Sequence, residues 1–539
     1  MPRLATRPAV LAALVLVTAM LAGCTPIEPT PTRSPLSSST PSPTPTLPPL
    51  AQGAVAAGHP LSAEAGTAVL RQGGNAVDAA IAAAFADTVL QPDASSIGGG
   101  GSAIIADSDD LDYVDYRDEV NVAGTVPSSG AGIPGFVAGM AALHERYGTL
   151  PWEALLEPAI ALARDGAPLS SYLAGQLQYL PGGAADVPPF YDADGRRLLA
   201  DATFVQSTLA ETLSTIATEG ADAFYTGSLV PRLADVPGID AESLAAYEVQ
   251  WSDPPAGTFG DYTVVSAAPA LPGAAVIQQL QIEEALGIAG AVPGSADFID
   301  IQTRAWRIAN NSIQTLFGDP NFVDVPVDAL TDPEANAALA ASAGAAGTAE
   351  GEDVDGNTTH ISVVDENGLT VSMTNTVTDF WGSKQYVAGF FFNNSLKRFN
   401  DIGTAGLNVV RPGARSVSWS APSLVLDATG RPVLVVGLPG GRQIPSTLAT
   451  VIALWAMHDA SVEEAVLAPR FQLLTNDVLR LESDSVAAEL RGRGYTVEVS
   501  GYPPVFGSVQ ALEIDWQTRS VTGFADPRRA AGVSYTGSG

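Results

Sequence analysis

Residues 25–50 are almost wholly Thr, Pro and Ser, and no second stretch of that texture occurs further along the chain. Such a composition cannot bury enough apolar surface to offset the entropy of ordering it, so it predicts an extended tether. Everything after residue 50 must then fold without an internal linker, as one continuous body. Its make-up allows this: 46% of residues are hydrophobic and 16% charged, the balance of a globular chain. A formal net charge of -32 repels phosphate backbones and anionic lipid, so contact with nucleic acid or a membrane surface cannot rest on electrostatics.

Ahead of the tether, Arg3 and Arg7 precede an apolar run over 9–22 that is too short to span a bilayer comfortably. This pattern predicts a secretion signal over 1–23, removed on export. Leu21-Ala22-Gly23-Cys24 resembles a bacterial lipobox, in which the cysteine becomes the lipidated first residue of the mature chain. Cys24 is the only cysteine, so it has no intrachain disulfide partner and no second thiol for a metal centre. The expectation is a lipidated tether over 24–50 and a body held at the outer face of a bacterial membrane through Cys24 alone.

Within the body, residues 63–90 carry Ala and Leu in two runs broken at Gln72-Gly73-Gly74-Asn75, which predicts two helices joined by a tight turn. Residues 151–164 and 297–316 predict further helices. Ser102-Ala103-Ile104-Ile105-Ala106 reads as a strand entered through four glycines at 98–101. A nucleotide fingerprint places its glycines after a strand and at the opening of a helix, and here the order is reversed. Nucleotide binding is therefore set aside. Residues 335–356, rich in Ala, Gly and acids, read as an exposed connector. Beyond Asn357 the texture changes to short β-branched and apolar runs at 361–364, 369–376, 424–426 and 433–436, with turns such as Glu366-Asn367-Gly368. Hairpins of this kind pack against helices on either face.

Gln72-Gly73-Gly74-Asn75-Ala76-Val77-Asp78-Ala79-Ala80, the glycines at 98–101, Asp115-Tyr116-Arg117-Asp118, Gly132-Ile133-Pro134-Gly135 and Gly148-Thr149-Leu150-Pro151-Trp152 occur in that order. Together they resemble the large-subunit signatures of the gamma-glutamyltranspeptidases. Thr358-Thr359-His360-Ile361-Ser362-Val363-Val364-Asp365 resembles the start of that family's small subunit, and Asn393-Asn394, Pro439-Gly440-Gly441 and Ala525-Asp526-Pro527-Arg528 follow. Each fragment alone is an ordinary turn or strand; the ordered set, spanning 55–530, carries the resemblance. It implies an α/β (α+β) fold, the four-layer αββα sandwich of amino-terminal nucleophile hydrolases. It also implies a large segment, 51–357, and a small segment, 358–539, that stay associated after the chain cuts itself between Asn357 and Thr358.

A threonine hydroxyl is a weak nucleophile until a base takes its proton. At the first position of a chain its own α-amine can do so, with a pKa near about 8 against about 10 for lysine. The resemblance thus implies that Thr358 becomes the nucleophile once cleavage exposes it. It further implies that Thr376 positions that hydroxyl, that Gly440 and Gly441 present backbone N–H groups to an oxyanion, and that Arg117 and Ser418 hold the donor's α-carboxylate, a task suited to a guanidinium. His360, one of four histidines, is expected to be a packed neighbour and not a base. No metal or organic cofactor is implied.

Departures from the family fall in one half of the pocket. Arg398 stands where an acid normally meets the donor's α-ammonium, Ser395 where glutamine is common, Thr378 where asparagine is common, and Trp419 where a second serine follows Ser418. A cation facing a cation at about 4 Å costs on the order of 1 to 4 kcal/mol, roughly ten-fold or more in affinity. The expected donor is therefore a small molecule or γ-linked peptide whose α-nitrogen is acylated or absent, as for the family's capsule depolymerases and cephalosporin acylases, and not free glutathione. The stretch between Phe399 and Ser418 is shorter than in relatives with a lid loop, which predicts an open cleft. The opposed reading is a surface lipoprotein that keeps the fold as a binding module without turnover. Thr358, Thr376, Arg117 and Gly440-Gly441, all in place, favour the enzyme.

Overall fold

In the computed structural model of the protein, residues 48–107, 110–342, 356–403 and 405–537 are described. The signal segment, Cys24 and nearly all of the tether lie outside them, as do residues 343–355 of the expected connector.

Strands β1 (Ala54–Ala57), β2 (Gly100–Asp107), β3 (Asp110–Asp115), β4 (Gln250–Ser252), β5 (Ala256–Phe259), β6 (Tyr262–Ser266), β7 (Gly356–Val364), β8 (Thr370–Asp379), β9 (Ser423–Leu426), β10 (Pro432–Gly437), β11 (Gln510–Asp515), β12 (Ser520–Ala525) and β13 (Gly532–Tyr535) build two antiparallel sheets. The seven-stranded sheet runs β13-β1-β7-β8-β2-β3-β4 and the six-stranded sheet β12-β11-β10-β9-β6-β5.

Side chains along a strand alternate between faces, and the alternation sorts them into three apolar layers. On β1, β2 and β7, the residues Val55, Ala57, Ala103, Ile105, Ile361 and Val363 point to one core, shared with helices α1 (Pro60–Arg71), α2 (Ala76–Leu90), α3 (Phe136–Tyr147), α4 (Trp152–Asp165) and α5 (Ser207–Glu219). Their neighbours Ala54, Ala56, Ile104, Ala106 and Val364 face the second sheet and meet Val265, Leu424, Val435 and Leu512. The far face of that sheet, through Val425, Leu434 and Val436, packs on α6 (Gly273–Ala285), α7 (Ala296–Leu316) and α8 (Ile444–His458). The order helices, sheet, sheet, helices is the four-layer αββα sandwich. With both faces of the central strands covered, all nine residues of β7 are buried.

The α1–α2 hairpin breaks where the sequence predicts. Asn75 caps α2 by accepting from Val77 N and Asp78 N, both at 2.9 Å, while Asp78 accepts from Asn75 N at 3.1 Å. Asp78 also accepts from Thr149 N at 3.1 Å, which ties together two of the sequence signatures. The expected exposed connector is corrected at its start. A helix occupies Pro333–Ser342, and within it Asn336 is fully buried, donating to Gln281 and to Leu330 O. Alanine-rich sequence of low complexity is also the strongest helix-former, and Asp332 caps it by accepting from Ala335 N at 2.8 Å.

Candidate active site

Strand register sets the geometry: Thr358 on β7 lies opposite Thr376 on β8, and Thr376 lies opposite Gly100 on β2. The register then shifts between Thr376 and Thr378, a bulge that leaves Thr378 at a φ of +84°. A β-branched residue is strained there, and the turn directs Thr378 N onto Thr376 Oγ1 at 2.8 Å. Thr376 Oγ1 also receives Thr358 Oγ1 at 3.2 Å and donates to the Asn357 carbonyl oxygen at 2.8 Å. One hydroxyl has one proton and two lone pairs, so all of Thr376's capacity is used. Three oxygens thus stand in line, from the Thr358 hydroxyl to the carbonyl of the bond before it.

The glycine run at 98–101 is what lets β8 lie so close. A Cβ on Gly99 would stand 2.4 Å from Thr376 O, and one on Gly101 would stand 2.3 Å from Thr374 O. These residues have a packing role in support of Thr376.

Asn357 is wholly buried. Its Nδ2 donates to Asp93 Oδ2 at 2.7 Å, and its Oδ1 accepts from Arg529 Nη1 at 2.9 Å and from Thr358 N at 3.2 Å. Burial pushes the Asp93 carboxyl up to about 6, opposed by its backbone bond, the Arg529 charge and the Asn357 amide. Neither Asp93 nor Arg529 emerged from the sequence. Their only signal there was adjacency, one to the glycine run and the other to Asp526-Pro527-Arg528.

Gly440 and Gly441 follow β10 and enter α8, with φ of 155° and 64°. They approach the start of β7 closely, since a Cβ on Gly356 would lie 2.9 Å from Gly441 Cα. A cleft of about 590 Å³ opens here, lined in part by Gly356, Gly440, Arg529, Lys384, Tyr172 and Tyr502.

Arg117 sits one strand over, its Cα packed against Gly100. Asp115 takes one edge of its guanidinium, with Nη2 to Oδ2 at 2.7 Å, and Nη1 donates to Ser416 O at 2.7 Å. Burial alone would raise Asp115, but the guanidiniums of Arg117 and Arg415 outweigh it and hold the carboxyl below its usual range. Ser395 donates to Asn393 Oδ1 at 3.0 Å, and its carbonyl accepts from Ser416 Oγ at 3.1 Å. The structure therefore gathers Arg117, Ser395 and the segment leading to the half-buried Ser418. Trp419 is placed apart, packed in the outer helix-and-sheet core with ring centroids 6.5 Å from Trp306.

Arg398 is not the bare cation that its sequence position suggested. Its side chain is 2% exposed and pairs with Asp379 at 2.9 Å and Asp401 at 3.3 Å, and Asp379 is further bonded by Asn394 Nδ2 at 2.6 Å. Two carboxylates balance the charge, so the like-charge cost argued for an isolated guanidinium does not apply. His360 is packed between the sheets, bonded to Thr374 at 2.9 Å and Ser362 at 3.1 Å, and burial lowers it to about 3. It is neutral at any ordinary pH. Among the described residues no group of three or more His, Cys, Asp or Glu is placed to hold a metal ion.

The gamma-glutamyltranspeptidase family profile matches residues 62–536. The chain is 34% identical to the capsule biosynthesis protein CapD proenzyme of Bacillus anthracis, over 88% of this chain and 89% of that protein. It is 33% identical to the glutathione hydrolase proenzyme of Pseudomonas aeruginosa, over 88% and 93%, and 33% identical to the acylase ACY 1 proenzyme of a Pseudomonas species, over 86% and 89%. Among solved structures, the cephalosporin acylase from Bacillus halodurans shares the fold, with a TM-score of 0.81 over 93% of this chain and 99% of that one at 24% identity. The named relatives are enzymes, and the reading as a non-enzymatic binding module finds no support among them.

Proposed function

The chain belongs to the gamma-glutamyltranspeptidase family and is an enzyme, and on that premise we propose that it cuts itself between Asn357 and Thr358 and then uses Thr358 as the nucleophile for amide hydrolysis or acyl transfer. The line of hydrogen bonds from Thr358 Oγ1 through Thr376 Oγ1 to the Asn357 carbonyl carries this reading. In self-cleavage, Thr358 Oγ adds to the Asn357 carbonyl carbon. Its proton passes to Thr376 Oγ while the Thr376 proton passes to the carbonyl oxygen, along bonds already made. The tetrahedral carbon then expels the Thr358 nitrogen, which takes that proton back. An ester on Thr358 Oγ and a free amine remain, and water splits the ester into an Asn357 carboxylate and a free hydroxyl.

In turnover, the new α-amine accepts the hydroxyl proton as Oγ attacks the donor carbonyl, and Gly440 and Gly441 N–H groups meet the oxyanion. The amine returns the proton to the leaving nitrogen, and water or an amine then releases the acyl group. Because that amine lies on the Asn357 side of Thr358, the leaving group departs towards the cleft beside Gly356 and Gly440.

The donor in this reading is a γ-glutamyl or related acyl compound whose α-nitrogen is acylated or absent, its carboxylate held by Arg117 and Ser418. The support is that Asp379, the acid beside Thr378, is paired with Arg398 at 2.9 Å and bonded by Asn394, so an ammonium group there would have to share the carboxylate with a guanidinium. The decisive experiment incubates the purified protein with N-acylated and free γ-glutamyl donors and maps the trapped acyl group by mass spectrometry. An acyl ester on Thr358 and a preference for the acylated donor are expected; a label elsewhere, or glutathione turned over equally well, contradicts the reading. Export and anchoring through a lipid on Cys24 belong to the same proposal. Cys24→Ser should move the protein from the membrane fraction to the soluble one, and retention in the membrane would count against it.

A further inference from the structure

In the proposed turnover Asn357 supplies no reacting group, since the cut leaves it at the end of the large fragment, yet both ends of its side chain are held by residues far away in sequence. Asp93 accepts from its amide nitrogen at 2.7 Å across 264 residues, and Arg529 donates to its amide oxygen at 2.9 Å across 172. We propose that Asp93 and Arg529 form a two-point clamp on the Asn357 side chain and thereby position the scissile carbonyl for attack by Thr358. This rests on the reading of Thr358 given above.

A carboxylate only accepts and a guanidinium only donates, so the pair fixes which way round the amide lies. Each jaw has its own support. Asp93 lies on the segment that also holds the β8 bulge, with Trp381 N donating to Asp93 O and Val377 N to Ala94 O, each at 3.0 Å. The clamp and Thr376 are therefore built on one backbone frame. Arg529 follows Arg528, which is pinned by Glu482 and Asp526 at 2.6 and 3.2 Å. Arg529 itself lies 5.3 Å from the Tyr172 ring and donates to Pro504 O. Burying Asp93 at 1% exposure is costly, with its Oδ1 given no partner among the described residues, and an apolar residue would hold a strand end at less expense. What the carboxylate adds is orientation.

The test follows cleavage during pulse-labelled cell-free synthesis of the full chain, by the appearance of a fragment starting at Thr358. A displacement of about 1 Å at a reacting group costs on the order of 100-fold, so Asp93→Leu, Asn357→Asp and Arg529→Gln should each slow scission at least about ten-fold. The exchange Asp93→Asn with Asn357→Asp again sets one donor against one carboxylate, and should return the rate to within about three-fold of the parent. A merely structural role predicts no such rescue. Single variants that process at the parental rate, or an exchanged pair as slow as the slower single, overturn the clamp. Thr358→Ala serves as the control. If it still cuts, the nucleophile reading fails; if it stays intact while the single variants process normally, only the clamp fails.

Discussion

Thr376 is the residue whose chemistry is most completely specified, because its one proton and two lone pairs are all committed. Thr376→Ser keeps the oxygen and should process within about three-fold of the parent, whereas Thr376→Val keeps the shape, removes the relay and should slow scission by about 100-fold or more. Equal rates for the two, read as the proportion of fragment over time, would dismiss the relay. Arg398 teaches the opposite lesson about reading residues from sequence. Its charge was legible and its partner Asp379 was not, since Asp379 becomes a neighbour only through the turn after Asn393-Asn394, whereas Asp401 stands three residues on along the same short helix. Arg398→Met frees the partly exposed Asp379, and should raise kcat/KM for donors with a free α-amine relative to acylated donors by about ten-fold, the value of roughly 1.4 kcal/mol. An unchanged ratio would show that Asp379 does not face the donor.

At the scale of elements, the site is a bulged hairpin, β7–β8, backed by a strand that begins in glycine. Gly99→Ala would force a Cβ to 2.4 Å from Thr376 O, costing about 1–3 kcal/mol by overpacking and displacing the hydroxyl. Self-cleavage should fall far more than the thermal midpoint does, and proportional losses would reduce the glycine run to general packing. Much of this was legible. The helix hairpin broken at Gln72-Gly73-Gly74-Asn75 and the strands on either side of Glu366-Asn367-Gly368 follow from period and turn chemistry, whereas the meeting of Thr358 with Thr376 was implied by the family resemblance alone. The helix at Pro333–Ser342 did not, because alanine content marks both helices and low-complexity linkers, and burial of Asn336 decides between them. The bulge at Thr378 was hidden for another reason: β-branched threonine carries no local preference for positive φ.

For the whole molecule, the central fact is interleaving. β8 and all but the first two residues of β7, from beyond the proposed cleavage point, lie between β1 and β2 from before it, and β13 closes the same sheet. A cut at Asn357 therefore divides the chain without dividing the core. The two fragments should elute as one species on gel filtration and separate only in denaturant; separation in native buffer would contradict this. Asp93 and Arg529 belong to this scale as well, brought to Asn357 from opposite ends of the chain by the sheet order, which no local pattern announces. The account turns on where the backbone breaks, and amino-terminal sequencing of the fragments of purified full-length protein and of its Thr358→Ala variant reads this directly. The prediction is a fragment beginning at Thr358, absent from the variant. A first residue other than Thr358, or the same fragment from Thr358→Ala, would contradict it.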